Sequence, residues 1–100
     1  FVDTRDVLSL ESHAHYTRVL TRDGYHFCNL SIGDLQARLD PERFMRIHRC
    51  FIVNLHAVAS LEREGSKTLI ALKGARRDPI PVSRGEVGRL REALGLLARH

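Results

Sequence analysis

The stretch FMRIHRCFIVN, residues 44–54, decides how the rest of the chain is read. Arg46, His48 and Arg49 are threaded through Phe44, Met45, Ile47, Cys50, Phe51, Ile52 and Val53. Apolar anchors at Phe44, Ile47, Phe51, Ile52 and Val53 would hold this backbone in a core and keep the interleaved basic groups at the surface. A guanidinium fixed by its backbone loses less entropy on meeting a phosphate or a base edge than one on a floppy tail. His48 has two readings. It joins the outward basic set, or its ring bonds to the local backbone. Phe51-Ile52-Val53 reads as a short apolar strand or buried turn. Arg43, Arg46 and Arg49 recur every three residues just before it.

Upstream, Tyr16–Thr21 and Tyr25–Leu30 are rich in β-branched and aromatic residues, and Arg22-Asp23-Gly24 lies between them. Asp-Gly is a strong hairpin signal, so 16–21 and 25–30 are predicted to pair. Val7–Glu11 reads as an earlier strand, followed by a polar loop from Ser12. Ser31-Ile32-Gly33-Asp34 has the form of a helix cap. Ile32, Leu35 and Leu39 then share one face of a short helix over 32–39, closed by Asp40-Pro41. Downstream, residues 57–64 and 68–73 alternate apolar and polar around Gly65-Ser66-Lys67, which predicts a second hairpin. Ala75–Pro79 reads as a polar loop, and Pro81 confines Ile80–Val82 to a sheet edge. Ser83-Arg84-Gly85-Glu86 has the full capping-box form. Val87, Leu90, Leu94 and Leu97 give the helix after it one apolar face. The expected architecture is mainly β, with one short internal helix and one at the C-terminal end.

The chain has 100 residues, enough for one domain with a small core, and 43% of them are apolar. Nothing approaches a membrane-spanning run and no leader pattern opens the chain. A chain starting at Phe1 reads as one piece of a longer protein with further domains upstream. Net charge is +4, and residues 51–100 carry all of it, with nine Arg or Lys against five Asp or Glu. Nearly all the basic residues are arginine, whose planar fork suits phosphate oxygens and the guanine edge. A GC-rich coding bias would produce the same excess. Cys28 and Cys50 lie apart without a CxxC pair, which fits reduced thiols in a cytoplasmic protein.

Catalytic motifs are missing: there is no GxSxG, no HExxH and no Gly-rich phosphate loop. His13 and His15 share a strand face, but no close second pair of zinc ligands accompanies them. The expectation is therefore no enzyme, no metal and no cofactor. The basic sites are more informative. Arg84 follows a serine cap at a helix start, where free amides and the helix dipole favour a phosphate. The segment 12–18, SHAHYTR, is a loop of hydrogen-bonding side chains ending in Arg18.

RFMRIHRCFIVNLHAVASLE (43–62) followed by IPVSRGEVGRL (80–90) resembles the LytTR DNA-binding domain, an output module of bacterial response regulators. The resemblance covers nearly the whole chain. It implies small antiparallel sheets packed side by side, with loops rather than a recognition helix reading successive major grooves of double-stranded DNA. It also implies paired direct repeats in promoter DNA, a domain that can be monomeric alone, and an upstream receiver or sensor domain. Carried over, the DNA-binding residues are the His15-Tyr16-Thr17 region of the first loop, Arg49 of the opening stretch and Arg84. Beyond that resemblance, Arg18, Arg46, His48, Lys73 and Ser83 are this chain's further candidates for the DNA-binding set. Arg84 is expected to grip guanine; Ser83, Arg46 and Lys73 are expected to meet phosphates. Cys50 stands where the family has serine, which removes a hydroxyl contact there. The rival reading is a basic-faced β module for protein interaction or ligand sensing. RNA binding ranks below both, because it wants aromatic platforms on a sheet face.

Overall fold

A computed structural model describes residues 3–74 and 79–98. The order is β1 (Val7–Ser12), β2 (Thr17–Thr21), β3 (Gly24–Cys28), α1 (Ile32–Gln36), β4 (Phe44–His48), β5 (Phe51–Asn54), β6 (Val58–Glu64), β7 (Lys67–Leu72), β8 (Ile80–Val82) and α2 (Val87–Ala98). Short 3₁₀ turns at Thr4–Asp6, Leu55–Ala57 and Arg84–Glu86 precede β1, β6 and α2. The strands form two antiparallel sheets, a five-stranded one ordered β3-β2-β1-β5-β4 and a three-stranded one ordered β6-β7-β8. The mainly β expectation holds.

Both faces of the larger sheet are covered, and alternation along its strands explains how. Met45, Ile47 and Val53 point to one side, where they meet Ile70, Leu72, Ile80 and Val82 of the smaller sheet and Leu90 of α2. Phe44 and Ile52 point to the other side, onto Ile32 of α1. Val7 and Leu10 share that second face although their spacing is odd. A register shift between Val7 and Ser9 accounts for it, because an inserted residue flips the side-chain phase. Ile47, Ile52, Val53, Ile70 and Leu90 are fully buried.

Both predicted hairpins form, over Thr17–Cys28 and Val58–Leu72. The opening stretch forms a third, with Arg49-Cys50 as its turn. Three expectations need correction. α1 stops at Gln36 rather than residue 39: the Ala37 amide already bonds to both the Gly33 and Leu35 carbonyls, and shorter turns carry the chain on to Asp40. Ser83 makes no side-chain cap bond, and Arg84 lies in the 3₁₀ turn ahead of α2, not in its first turn. The loop over 75–79 lies, apart from Pro79, outside the described residues. Pro81 does sit on an edge strand, and Ser31 does cap α1, accepting the Asp34 amide at 3.0 Å.

Candidate nucleic-acid interface

Two backbone hydrogen bonds join three separate chain segments at one end of the strands. The Ser12 amide, at the start of the β1–β2 loop, donates to the Cys50 carbonyl at 2.8 Å. The Ser83 amide, just before the Arg84 turn, donates to the Ile47 carbonyl at 2.8 Å. Ile47 falls in a register shift and has no partner residue on β5, so its carbonyl faces the incoming segment. The first loop, the β4–β5 turn and the start of the α2 region are thereby fixed relative to one another.

The β4–β5 turn is held by its own arms. Arg46 Nη2 donates to the Arg49 carbonyl at 2.5 Å, and Nη1 donates to Gln36 Oε1 at 3.2 Å. His48 Nδ1 accepts the Cys50 amide at 3.1 Å, with the ring edge-on to Phe51. His48 thus takes the backbone-bonded reading, and its Nε2 can donate. Arg46 supports the turn with part of its guanidinium. Arg49 is exposed at the tip with no side-chain partner among the described residues. A groove of about 650 Å³ runs from this turn to α2, lined by Gln36, Arg46, His48, Arg49, Ser83 and Arg89 among others. Arg89 answers Glu86 there at 3.0 Å. Arg84 is exposed at the end of the same structure.

The first loop is organised around one carboxylate. Glu11 Oε1 accepts from both Arg18 Nη2 and His13 Nε2, the latter at 3.1 Å. His13 stacks on Tyr16 with centroids 5.0 Å apart and planes within 6°, and Tyr16 meets Phe27 edge-on at 5.2 Å. The Arg18 guanidinium carbon lies 4.1 Å above the Tyr25 ring. The His13 amide closes the loop onto the Tyr16 carbonyl at 2.8 Å. His15 stays exposed at the tip.

Three expected contact residues have to be reassigned. Thr17 is fully buried and its hydroxyl donates to the Leu30 carbonyl at 2.8 Å, so it supports the loop and has no surface to offer. Arg18 is a half-buried strut between Glu11 and Tyr25, with Nε buried and unpartnered. Lys73 lies at the opposite end of the strands, where its amide meets the Ala57 carbonyl at 2.8 Å. The groove brings together Arg46, His48, Arg49 and Ser83; Arg84 follows Ser83 directly, and the loop of His15 and Tyr16 is tied to the same turn through the Ser12–Cys50 hydrogen bond. Sequence reasoning missed the organising role of Glu11. Glu11 faces Arg18 across β1 and β2, a signal readable only once that pairing is known. Among the described residues no group of three or more His, Cys, Asp or Glu side chains converges as a metal site would require.

A family model described as the LytTr DNA-binding domain matches residues 1–95. The chain belongs to the LytTR family. The LytTR domain of a putative methyl-accepting/DNA response regulator from Bacillus cereus superposes with a TM-score of 0.81 at 25% identity, over 94% of this chain and 85% of that one. The CO-responsive transcriptional regulator RcoM of Rhodospirillum rubrum is 43% identical over 98% of this chain and 40% of its own length. The transcriptional regulatory protein YpdB of Escherichia coli is 31% identical over 91% of this chain and 37% of its own length. This LytTR domain therefore spans two fifths or less of these two regulators. The resemblance read from residues 43–62 and 80–90 is borne out, and so is the side-by-side arrangement of small sheets.

Proposed function

We propose that this LytTR domain binds double-stranded DNA sequence-specifically, as the output module of a bacterial transcription regulator working in the cytoplasm. The observation that carries the reading is the pair of backbone hydrogen bonds, Ser12 to Cys50 and Ser83 to Ile47, which fasten three polar and basic loops into one rigid end. Arg84 and Arg49 are exposed there without side-chain partners among the described residues. Each offers the donor fork that grips guanine O6 and N7. His15 and Tyr16 supply further edge contacts from the first loop. Arg46 and Ser83, partly committed to the protein, suit phosphates that set position without specifying sequence. The domain binds and does not catalyse; an upstream receiver or sensor domain gates it, and two copies occupy paired direct repeats.

In-vitro selection against random duplexes at near-physiological salt tests this. The expected result is enrichment of a paired direct repeat. Arg84→Ala should weaken binding to that repeat by about 1–3 kcal/mol and leave binding to unrelated duplex nearly unchanged. Equal losses on both DNAs would make Arg84 a phosphate contact, and absence of any enriched sequence would refute specific reading by this chain.

A further inference from the structure

A second concave site lies at the other end of the strands, away from the loops assigned to DNA. It is an open pocket of about 550 Å³, a size that suits small ligands. Arg5, Arg22, Arg43, His56 and Lys73 line it, each from a different stretch of chain. Its neutral polar groups are already committed. Asn54 Nδ2 donates to the Val7 carbonyl at 2.9 Å and Asn54 Oδ1 accepts the His56 amide at 3.0 Å. Thr21 Oγ1 donates to the Gly24 carbonyl at 3.0 Å and accepts the Asp23 amide at 3.2 Å.

The cations are not committed in the same way. Arg5 is paired with Asp3 at 2.8 Å, and its guanidinium holds the Asp3 carboxyl below the usual carboxylate range. Arg22, Arg43 and Lys73 have no acidic partner among the described residues. Arg43 Nε is buried and has no acceptor, a costly condition for a charged donor. Three positive charges that hold no direct ion pair among the described residues therefore line one recess from three directions, with Asp3 acting on Arg43 only at longer range. A carboxylate offers two oxygens in a plane. A phosphoryl group offers three, arranged tetrahedrally, with more charge, and so can answer donors converging from separate loops. The recess also favours a compact anion over a duplex, whose phosphates lie along a convex rod with one charge each.

We infer that this pocket binds a multiply charged phosphoryl group carried by a small molecule, at a site separate from the DNA-reading end. Pyrophosphate is the probe. Titrated into the chain and followed by calorimetry and by arginine side-chain NMR, it should saturate at one equivalent and shift the Arg43 Nε–H resonance. Arg22→Gln, an exposed change remote from the reading loops, should weaken it at least about tenfold, the loss of one charge-assisted contact. The same variant should bind duplex as before. Lys73→Gln should weaken pyrophosphate to a similar degree. No saturable binding, or unchanged affinity in both variants, would overturn the inference. Displacement of pyrophosphate by an unrelated duplex would overturn it too, by giving the phosphate site to the DNA backbone. The pyrophosphate arm needs no duplex, so this inference and the DNA reading stand or fall separately.

Discussion

Thr17 shows how much of the β1–β2 loop depends on a side chain that never reaches the surface. Its hydroxyl satisfies the Leu30 carbonyl from a fully buried position. Thr17→Val keeps the branched shape and removes the donor, so the carbonyl loses its partner. Stability should fall by about 1–3 kcal/mol in urea unfolding. Glu11 matters differently, because one carboxylate oxygen holds both His13 and Arg18. Glu11→Gln keeps the shape and removes the charge that the Arg18 guanidinium answers, weakening the shared acceptor of His13 as well. Specific DNA affinity should drop about fivefold, roughly the worth of one networked contact, with the fold intact by circular dichroism. The arginine spacing was legible in the sequence, but its meaning was not. Arg43, Arg46 and Arg49 recur every three residues, yet β4 is extended, and that spreads them along a strand rather than into a patch. Arg49 ends at the β4–β5 turn and Arg43 at the opposite pocket.

Among the elements, those with local signals were legible. The β2–β3 turn was marked by Asp23-Gly24, and Gly24 does take φ +127°, a conformation side chains rarely adopt. The β4–β5 hairpin carries no such mark. Arg49-Cys50 has no glycine, asparagine or proline, and the turn is closed by the side chains of Arg46 and His48 instead. The serine at residue 83 illustrates the opposite failure. Its S-x-x-E pattern promised a local cap, but its amide is taken by Ile47, thirty-six residues earlier, and its hydroxyl makes no cap bond. The apolar face of α2 was legible, since its period is written in the chain, and Leu90 is its fully buried member. Leu90→Ala should cost about 2–5 kcal/mol in thermal or urea unfolding. Because α2 holds the Arg84 turn in place, specific DNA binding should weaken in the same variant under conditions where it remains folded.

At the scale of the whole molecule, size constrains how DNA is met. Successive major grooves on one face of a straight duplex are about 34 Å apart. The longest extent of the Cα trace is 33 Å. The proposed reading loops all lie at one end, so a single copy meets two grooves more closely where the duplex curves toward it. A circular-permutation gel assay should show a bend centred on the site. That bend should cost about 1–6 kcal/mol, recovered in added contacts. A flexible pyrimidine–purine step between the contacted bases should then improve affinity without being touched.

The two sheets also leave four outer strands, and three of them are protected. β6 carries Glu62, Arg63 and Glu64, β8 carries Pro81, and β4 is covered by α2 and the Ser83 segment. Among the described residues, β3 is the outer strand that exposes large aromatic rings, Phe27 at 67% and Tyr25, which carries the Arg18 guanidinium, at 38%. Self-association in crowded solution therefore has one seam along which to start. Phe27→Lys should raise the concentration at which light scattering first reports clustering. Phe27 is also the ring against which Tyr16 leans, so under the proposed DNA reading, colloidal behaviour and duplex preference would hang on the same side chain, and neither could be tuned there without moving the other.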